Sequence, residues 1–346
     1  MESIKLKVID IRARSFFLFS LISLAFHGCA GIYSVVEFEV LEPATVSFPD
    51  HVSQLLVINR APFTMDVFKE EDREGMEREH LVIVDTLISN NTLRGLQSVL
   101  KESPIERFHH PIWFSERRGD TTALEDMILT KPEVIALCEK YTADVVISFE
   151  SYTLDLAEHY DYYSDSPSMV LNHYYEISNE VKWNIHLPIN PMPFDTYSTI
   201  DTIYFSSVLD GEVIPIPSMI GMIAELFYNS GTKYGRYLVP VWYQTSRTLY
   251  KGKGDSLKLA SKYTDRGEWE DAFDIWNDLT ESPDSIMVSK AYHNMAIFYE
   301  LEDNLDSASY MLDRALMYDS LAVVGNYREE LDIRVLNQNE VRNQVD

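Results

Sequence analysis

Residues 255–336 repeat one pattern of small and large side chains, and this repeat constrains the fold more than any other feature of the chain. Ala272 recurs as Ala308, 36 residues later, and Asp303 stands in the second copy where Gly267 stands in the first. Small residues at fixed positions let two helices approach closely, and glycine suits the turn between them. Each copy is therefore predicted to form two antiparallel helices. The recurring positions are Leu259, Ala260, Tyr263, Trp269, Ala272, Trp276 and Leu279 in the first copy, and Met295, Ala296, Tyr299, Ala308, Leu312 and Ala315 in the second.

This repeat resembles the tetratricopeptide (TPR) pattern, in which stacked helix pairs form a groove that binds a protein partner. It departs from that pattern at Leu279, where alanine is usual, and at Ser320, where proline is usual. Residues 321–336 are predicted to form a capping helix, followed by a polar tail over 337–346. A generic helical bundle is the alternative interpretation. The resemblance implies these partner-binding residues in the groove: Tyr263, Trp269, Trp276, Tyr292, Asn294 and Tyr299.

Residues 1–28 have the order of a cleaved export signal. Four basic side chains precede the uncharged apolar run Ser15–Phe26, which is too short to span a membrane as a helix. Gly28-Cys29 resembles a bacterial lipobox, although His27 is unusual in that position. The resemblance implies cleavage before Cys29, attachment of lipid such as palmitate to its thiol, and residence in the outer membrane, facing the periplasm or the cell surface. An ordinary secretion signal and an uncleaved signal anchor remain as alternatives.

The chain is strongly acidic, with 29 basic and 55 acidic side chains and a formal net charge of −26. Such a surface repels nucleic-acid phosphates and anionic lipid headgroups, so nucleic acid is not an expected partner. Attachment to the membrane is then expected through a lipid or a helix and not through a basic patch. The other cysteine, Cys138, lies in an apolar helical pattern and is predicted to be a small core residue.

A lipid-anchored segment over 29–50, which contains a first strand, leads into a domain predicted over 51–250. Within this domain, residues 175–187 alternate between apolar and polar side chains, which indicates a strand buried on one face. Helices are predicted near 86–100, over Pro132–Tyr141 and over 217–238, with the last one directing Ile220 inward. The charged run at 69–79 is interpreted as a loop or an exposed helix start. Together these elements predict an α+β sandwich domain followed by an all-α module of TPR-like helical hairpins.

Residues 142–147 (TADVVI), which follow a helix, resemble a strand in a small domain of envelope lipoproteins. Those lipoproteins are related to the curli secretion channel and to the TolB N-terminal domain, and the resemblance covers about residues 50–150. The lipobox, the LLVINR strand and the two repeats together resemble an uncharacterised family of Gram-negative envelope lipoproteins, a domain-of-unknown-function family. That resemblance implies a fold and an address, and it implies no activity.

Few residues point to chemistry. The sequence has no Gly-rich phosphate loop, no His-Glu-x-x-His, no Gly-x-Ser-x-Gly and no pair of metal-spaced cysteines. Adjacent His109 and His110 are interpreted as parts of an exposed loop. The acid- and tyrosine-rich stretch Asp155–His173 is interpreted as a solvated loop that could form a contact surface. Arg236 and Arg247 lie near Trp242 in the sequence, and an arginine packed on Trp242 is preferred to a substrate clamp.

These observations favour a non-enzymatic adaptor that binds a protein partner through its TPR-like repeats. The alternative function is a glycan- or peptide-binding protein that uses the tyrosine-rich loop and a cleft between the domains. A hydrolase would need a nucleophile or two acids in a cleft, which the sequence cannot place. No catalytic residue, metal ligand or cofactor is predicted.

Overall fold

The computed structural model describes residues 33–61, 68–71, 77–80, 84–116, 128–163, 170–209, 212–252, 255–319 and 321–345. The chain divides into two compact units. Among the described residues, the sheet unit comprises those within 41–243 and 337–345, and the helical unit comprises those within 33–40 and 244–336. The export signal and Cys29 lie outside the described residues. Within the described ranges, no helix combines the length and the hydropathy that a membrane span requires.

The described chain contains eleven strands and eight α-helices, and a short 3₁₀-helix at Glu106–Phe108. The strands are β1 (Tyr33–Glu42), β2 (Leu55–Asn59), β3 (Phe68–Glu71), β4 (Glu77–His80), β5 (Ile112–Ser115), β6 (Val145–Tyr163), β7 (Val170–His186), β8 (Asp195–Ser206), β9 (Val208–Leu209), β10 (Glu212–Val213) and β11 (Val241–Tyr250). The helices are α1 (Val84–Glu102), α2 (Lys131–Tyr141), α3 (Met219–Leu238), α4 (Asp255–Thr264), α5 (Trp269–Leu279), α6 (Ser285–Leu301), α7 (Leu305–Tyr318) and α8 (Ala322–Val345).

A mixed five-stranded sheet is the centre of the sheet unit, with the strand order β5-β2-β6-β7-β8. Strands β5, β2 and β6 are parallel, whereas β7 and β8 are antiparallel to their neighbours. Helices α1 and α3 share one hydrophobic core with the sheet, and α2 belongs to a smaller core with β2 and β6. Helices α1 and α3 approach so closely that a Cβ atom on Gly231 would overlap the carbonyl group of Thr92.

Several predicted elements are present near their expected limits. Thr130 precedes α2, and its backbone N–H and hydroxyl both donate to the Glu133 carboxylate, at 2.7 and 2.6 Å. These bonds lower the pKa of Glu133. Cys138 is buried, as expected of a core residue, and burial raises the pKa of its thiol to about 11. By contrast, Ile220 is exposed, because the buried stripe of α3 begins at Met222.

The largest difference from the sequence prediction concerns Asp155–His173, which was predicted to be a loop. Most of this stretch forms the long hairpin of β6 and β7, in which Asp155 lies opposite Ser178 and Tyr160 lies opposite His173. Leucine and tyrosine, which favour strands, lie between the acids here, so the stretch can form a strand despite its high charge. The charged run at 69–79 is also different, because it contains β3 and β4, which pair with each other.

Two helical hairpins, α4–α5 and α6–α7, form most of the helical unit and have the same turn. In the first turn, the Glu268 N–H donates to the Tyr263 carbonyl at 2.9 Å; in the second, the Asn304 N–H donates to the Tyr299 carbonyl at 2.9 Å. The left-handed position is Gly267 in one turn and Asp303 in the other, with φ of 77° and 58°. The alanines predicted at close contacts are fully buried: Ala260, Ala272, Ala296, Ala308 and Ala315.

The C-terminal segment was predicted to be a polar tail, and it is instead the end of α8. Residues 337–345 are assigned to the sheet unit. There the Gln344 side chain donates to the Ala44 carbonyl and accepts from the Ala44 N–H, both at 2.9 Å. This buried amide satisfies both backbone polar groups of Ala44, and the two bonds hold the end of α8 in place.

Candidate functional site

The helical unit contains the residues that the repeat pattern predicted to bind a partner, and two of them lie in its core. Trp276 is 1% exposed, and its ring lies 6.5 Å from that of Trp269. Asn294 is also 1% exposed, and its amide donates to the Tyr250 carbonyl and accepts from the Tyr250 N–H, both at 2.9 Å. These two side chains pack and position the chain itself, so neither is available as a contact surface.

Strand β11 lies against α6 at this point, so the chain supplies its own extended segment to this face of the helices. Besides the Asn294 contact, the His293 Nε2 atom lies 2.8 Å from the Thr248 carbonyl. Nε2 must carry the proton in this hydrogen bond, because a carbonyl oxygen can only accept. His293 is buried between the rings of Tyr250 and Tyr327. Burial lowers the pKa of His293 to about 4.

The other predicted contact residues are half-buried and lie in different surroundings. Tyr299 packs on Phe273, with ring centres 5.5 Å apart. The Tyr263 ring lies 4.8 Å below the Arg266 guanidinium in the first hairpin. Tyr292 lies next to α7, where its ring stacks on that of Tyr318 at 5.8 Å. The predicted set is therefore dispersed over the helical unit rather than gathered into one groove.

Four side chains on α7, next to the predicted Tyr292, were missed by the sequence prediction: three are exposed, and Arg314 is half-buried. Tyr310, Arg314 and Tyr318 are spaced by four residues and share one face of the helix. The Arg314 guanidinium lies 5.3 Å from the Tyr292 ring and 5.7 Å from the Tyr318 ring, and a hydrogen bond to Tyr292 raises its pKa. Met317 and Tyr310 are 75% and 59% exposed. This group is named the aromatic stripe: Tyr292, Tyr310, Arg314, Met317 and Tyr318.

A buried ionic network, centred on Glu300, connects β11, α6 and α8. The Arg247 guanidinium binds the two carboxylate oxygens of Glu300 at 2.8 and 2.9 Å, and Arg334 approaches the same carboxylate at 2.8 Å. The Tyr327 hydroxyl donates to it at 2.7 Å. Burial alone would lower the pKa of Arg247, but the bond to Glu300 outweighs it and the pKa is raised. The predicted arginine–Trp242 contact is not the arrangement found, because Arg247 lies over the Phe38 and Tyr327 rings.

The sheet unit has a cavity of about 380 Å³ beyond the carboxyl ends of β2 and β5, where open α/β sheets commonly bind ligands. Its charged side chains are Arg60, Lys140, Glu116 and Glu133. Because the two cations balance the two carboxylates, the cavity has no clear preference for a charged ligand of either sign. The described residues that line it include no serine, threonine or cysteine.

Next to this cavity, a β-bulge at Glu150 interrupts the register of β6 and β7. Arg60 and the Ser148 hydroxyl both donate to the Glu150 carboxylate, at 2.9 and 2.6 Å. His186 lies buried on the same face of the sheet, and burial together with the nearby Arg60 lowers its pKa to about 4. A neutral histidine beside a buried ion pair has the character of a structural group.

The β6–β7 hairpin gathers aromatic rings around Glu158. Its carboxylate accepts from the Tyr160 hydroxyl at 2.8 Å and from the Tyr175 hydroxyl at 3.1 Å, and it lies 2.7 Å from the His173 Nε2 atom. The hydrogen bond from Tyr160 contributes most to lowering the pKa of Glu158. Tyr160 and His173 stack with ring centres 4.7 Å apart. An aromatic surface around a carboxylate can stack against a planar or sugar-like ligand and accept its hydroxyl hydrogens.

Metal binding has no support in the part of the chain that is described. No group of three or more histidine, cysteine or acidic residues there could hold a metal ion. His109 and His110 have rings 6.4 Å apart at 76°, and the His109 Nε2 atom lies 2.7 Å from the Ser103 carbonyl. They follow the 3₁₀-helix in an irregular segment, as predicted.

These features define a two-part protein, in which a mixed α/β sheet unit and a unit of helical hairpins share one chain. A family model described as a domain of unknown function, DUF8603, matches residues 52–250, and this chain belongs to that family. A second domain of unknown function, DUF6340, matches residues 258–331. Both matches agree with the predicted membership of an uncharacterised family. No curated protein matches the chain at a significant level.

Two solved structures are similar to part of the chain. A neuraminyllactose-binding hemagglutinin homolog from Helicobacter pylori is 12% identical, with a TM-score of 0.29, and the match covers 56% of this chain and 83% of that one. A PelC dodecamer from Paraburkholderia phytofirmans is 9% identical, with a TM-score of 0.25, and the match covers 57% of this chain and 96% of that one. At these TM-scores neither similarity carries a functional argument.

Proposed function

We propose that this protein is an outer-membrane lipoprotein, anchored through Cys29, that acts as a non-enzymatic protein-binding adaptor. Its TPR-like hairpins present the aromatic stripe to a protein partner. The observation that carries the proposal is the partly exposed stack of Tyr292, Arg314 and Tyr318 beside the exposed Met317. Tyrosine, arginine and methionine are enriched at protein interfaces, and tyrosine and arginine dominate the energetic hot spots.

The internal order of the stripe supports binding with little loss of side-chain entropy. Arg314 donates to the hydroxyls of Tyr292 and Tyr318, at 3.3 and 3.4 Å, while its guanidinium lies over both rings. Side chains that already hold each other lose less freedom when a partner arrives, so more of the contact energy becomes affinity. The partner is expected to supply an apolar side chain for Met317 and a carboxylate or carbonyl for Arg314.

The groove side of the repeats is a weaker candidate for this role. Asn294 binds the backbone of Tyr250, and Trp276 belongs to the core. A peptide that entered there would have to displace β11 and its buried Arg247–Glu300 pair. The outer face of α7 has no such competitor among the described residues.

Matched arginine variants test the adaptor role. Arg314 and Arg266 both lie over tyrosine rings, but Arg266 belongs to the first hairpin, far from the stripe in sequence. Crosslinked envelopes that contain Arg314→Ala or Tyr318→Ala should lose at least one specific partner that wild type and Arg266→Ala both retain. The same set of captured proteins in all four strains would contradict the proposal.

The lipid anchor has its own test, because Cys29 is proposed from sequence alone. Cells grown with labelled palmitate should incorporate the label into the wild-type chain and not into Cys29→Ala. An unlabelled wild-type chain of full precursor mass would rule out the anchor while leaving the partner-binding proposal standing.

The rings around Glu158 favour a second candidate function, the binding of a glycan. Tyr160 is 63% exposed and stacks on His173 next to a carboxylate acceptor. A glycan array should then give specific signals that weaken with Tyr160→Ala, while Tyr310→Ala leaves them unchanged. Equal signals from both variants would remove this candidate.

A further inference from the structure

The strand at the outer edge of the five-stranded sheet has an open side. Within the described part of the chain, β8 pairs with β7 and with no other strand. It is 12 residues long, whereas the strand at the opposite edge, β5, has four. An edge strand exposes unpaired N–H and C=O groups that can bond to another strand.

The hydrogen-bond register shows which residues face the open side. The Ser207 N–H donates to the His173 carbonyl at 2.8 Å, and the pairing continues with Ser206 opposite Tyr174. Bonded residues alternate along an antiparallel pair, so the odd-numbered residues of β8 bond to β7. The even-numbered residues, with Ile200 at the centre, therefore direct their N–H and C=O groups away from the sheet.

Most of the usual protections of an edge strand are missing from β8, although it has one inward-pointing acid, Asp201. Its sequence, DTYSTIDTIYFS, has no lysine, no proline and no bulge, and it is rich in residues that favour strands. Of its two acids, Asp195 is the first residue, and Asp201 is 6% exposed and paired with Lys233. On the solvent face, Ile200 and Tyr204 are 73% and 63% exposed.

Two copies of β8 fit each other when they run antiparallel about Ile200. Ile200 then lies opposite Ile200 of the second copy, Ser198 opposite Thr202, and Thr196 opposite Tyr204. On the other face Asp201 lies opposite Thr199, so no like charges are directly opposed. A shift that placed Asp201 opposite Asp201 would oppose two carboxylates, so the acids favour the register centred on Ile200.

We propose that β8 pairs with β8 of a second copy of this chain and joins two sheet units into one continuous ten-stranded sheet. The assembly has two-fold symmetry, in which each strand is both donor and acceptor for the other. Because each chain has a formal net charge of −26, long-range repulsion opposes the contact. Salt screens this repulsion, so the dimer is expected to tighten as ionic strength rises.

Mass measurement of the detergent-solubilised full chain tests the proposal. At about 100 µM protein, where a micromolar dimer is mostly assembled, wild type should have twice the mass of one chain. Ile200→Lys places a charge at the symmetry axis and should halve that mass. Ile189→Lys makes the same change at a position that is 75% exposed and outside β8, and it should leave the dimer intact. A monomeric wild type, or an Ile200→Lys dimer, would overturn the proposal.

Disulfide crosslinking tests the register itself. Ile200→Cys should crosslink to itself on oxidation, since directly paired residues have Cα atoms about 5.5 Å apart, within the range of a disulfide. Ser198→Cys alone should not exceed the wild-type background, but a mixture of Ser198→Cys and Thr202→Cys chains should crosslink. Crosslinking of Ser198→Cys alone, with none in the mixture, would overturn the register.

Discussion

The two helical hairpins have the same turn but different surroundings. In both, a carbonyl near the end of the first helix accepts from the residue after the left-handed position. At the position that is Thr264 in the first hairpin, the second has the buried Glu300, which binds Arg247, Arg334 and Tyr327. The turn that uses Gly267 in the first uses Asp303 in the second, where the carboxylate binds Arg334 at 3.1 Å.

This difference separates what the repeat needs from what the rest of the protein needs. The alanines and the left-handed turn recur because they fix how closely two helices can pack. Glu300 has no counterpart in the first hairpin, and it connects the second hairpin to both β11 and α8 through ion pairs. A residue that differs between the two hairpins, such as Glu300, therefore indicates contacts with neighbouring segments better than the recurring alanines do.

The largest expected effect comes from Glu300→Gln. The substitution keeps the shape of the side chain but leaves two arginines without their buried counter-charge, which should cost about 3 kcal/mol or more of unfolding free energy. Thr264→Ala, at the matching position of the first hairpin, should cost less than about 1 kcal/mol. Urea unfolding of wild type, Glu300→Gln and Thr264→Ala measures both losses. Equal losses of unfolding free energy in the two variants would mean that the ion pairs of Glu300 do not stabilise the helical unit.

Overpacking the helix contacts should have the next largest effect. Ala272 and Ala308 are both 0% exposed, so leucine at either position has no room and should destabilise the protein by about 1–3 kcal/mol. Similar losses in the two variants, measured by thermal unfolding, would support equivalent packing in the two hairpins. A tolerated leucine in one hairpin would break the equivalence.

Acid should weaken the helical unit through His293. Its pKa is lowered from 6.5 to about 4, so the unfolded chain binds a proton more readily than the folded one at intermediate pH. The stability contributed by the neutral ring is present above pH 6.5 and is lost as pH falls toward 4, by about 2 kcal/mol between pH 7 and pH 5. His293→Phe removes this proton uptake, so its unfolding free energy should depend less on pH. An unchanged pH dependence would show that His293 is not buried in its neutral form.

The smallest expected effect concerns the turn itself. A Cβ at Gly267 would meet nothing within 4 Å, so Gly267→Ala should cost only the backbone strain of φ 77°, about 1 kcal/mol. Asp303→Gly relieves similar strain but loses an exposed ion pair, and its net effect should stay within about 0.5 kcal/mol. Denaturation midpoints of both variants would measure the difference. A larger loss of unfolding free energy for Asp303→Gly would show that the Asp303–Arg334 ion pair stabilises the second turn.

The sequence predicted the hairpins well because their signal is local and repeated. The capped start of α2 at Thr130 and Glu133 was predictable for the same reason, since the two residues are three positions apart. Asn294 was misinterpreted because its partner, Tyr250, is 44 residues away, and only a folded chain brings the two together. The outer part of the β6–β7 hairpin, Asp155–His173, was missed because the acids around Tyr160 look like a solvated loop. The spacing of Tyr310, Arg314 and Tyr318 was the available signal for the aromatic stripe.

The contact between Asn294 and Tyr250 has a consequence for how such genes can recombine. The first family segment ends at residue 250 and the second begins at residue 258, so a crossover between them would leave Tyr250 in one protein and Asn294 in the other. Unless the new protein supplied an equivalent extended segment, the inherited helices would then carry a buried amide with neither its donor nor its acceptor, because both are backbone groups of residue 250. The two family segments are therefore expected to be inherited together. In sequence β11 belongs to the first segment, but its end contacts the helices of the second.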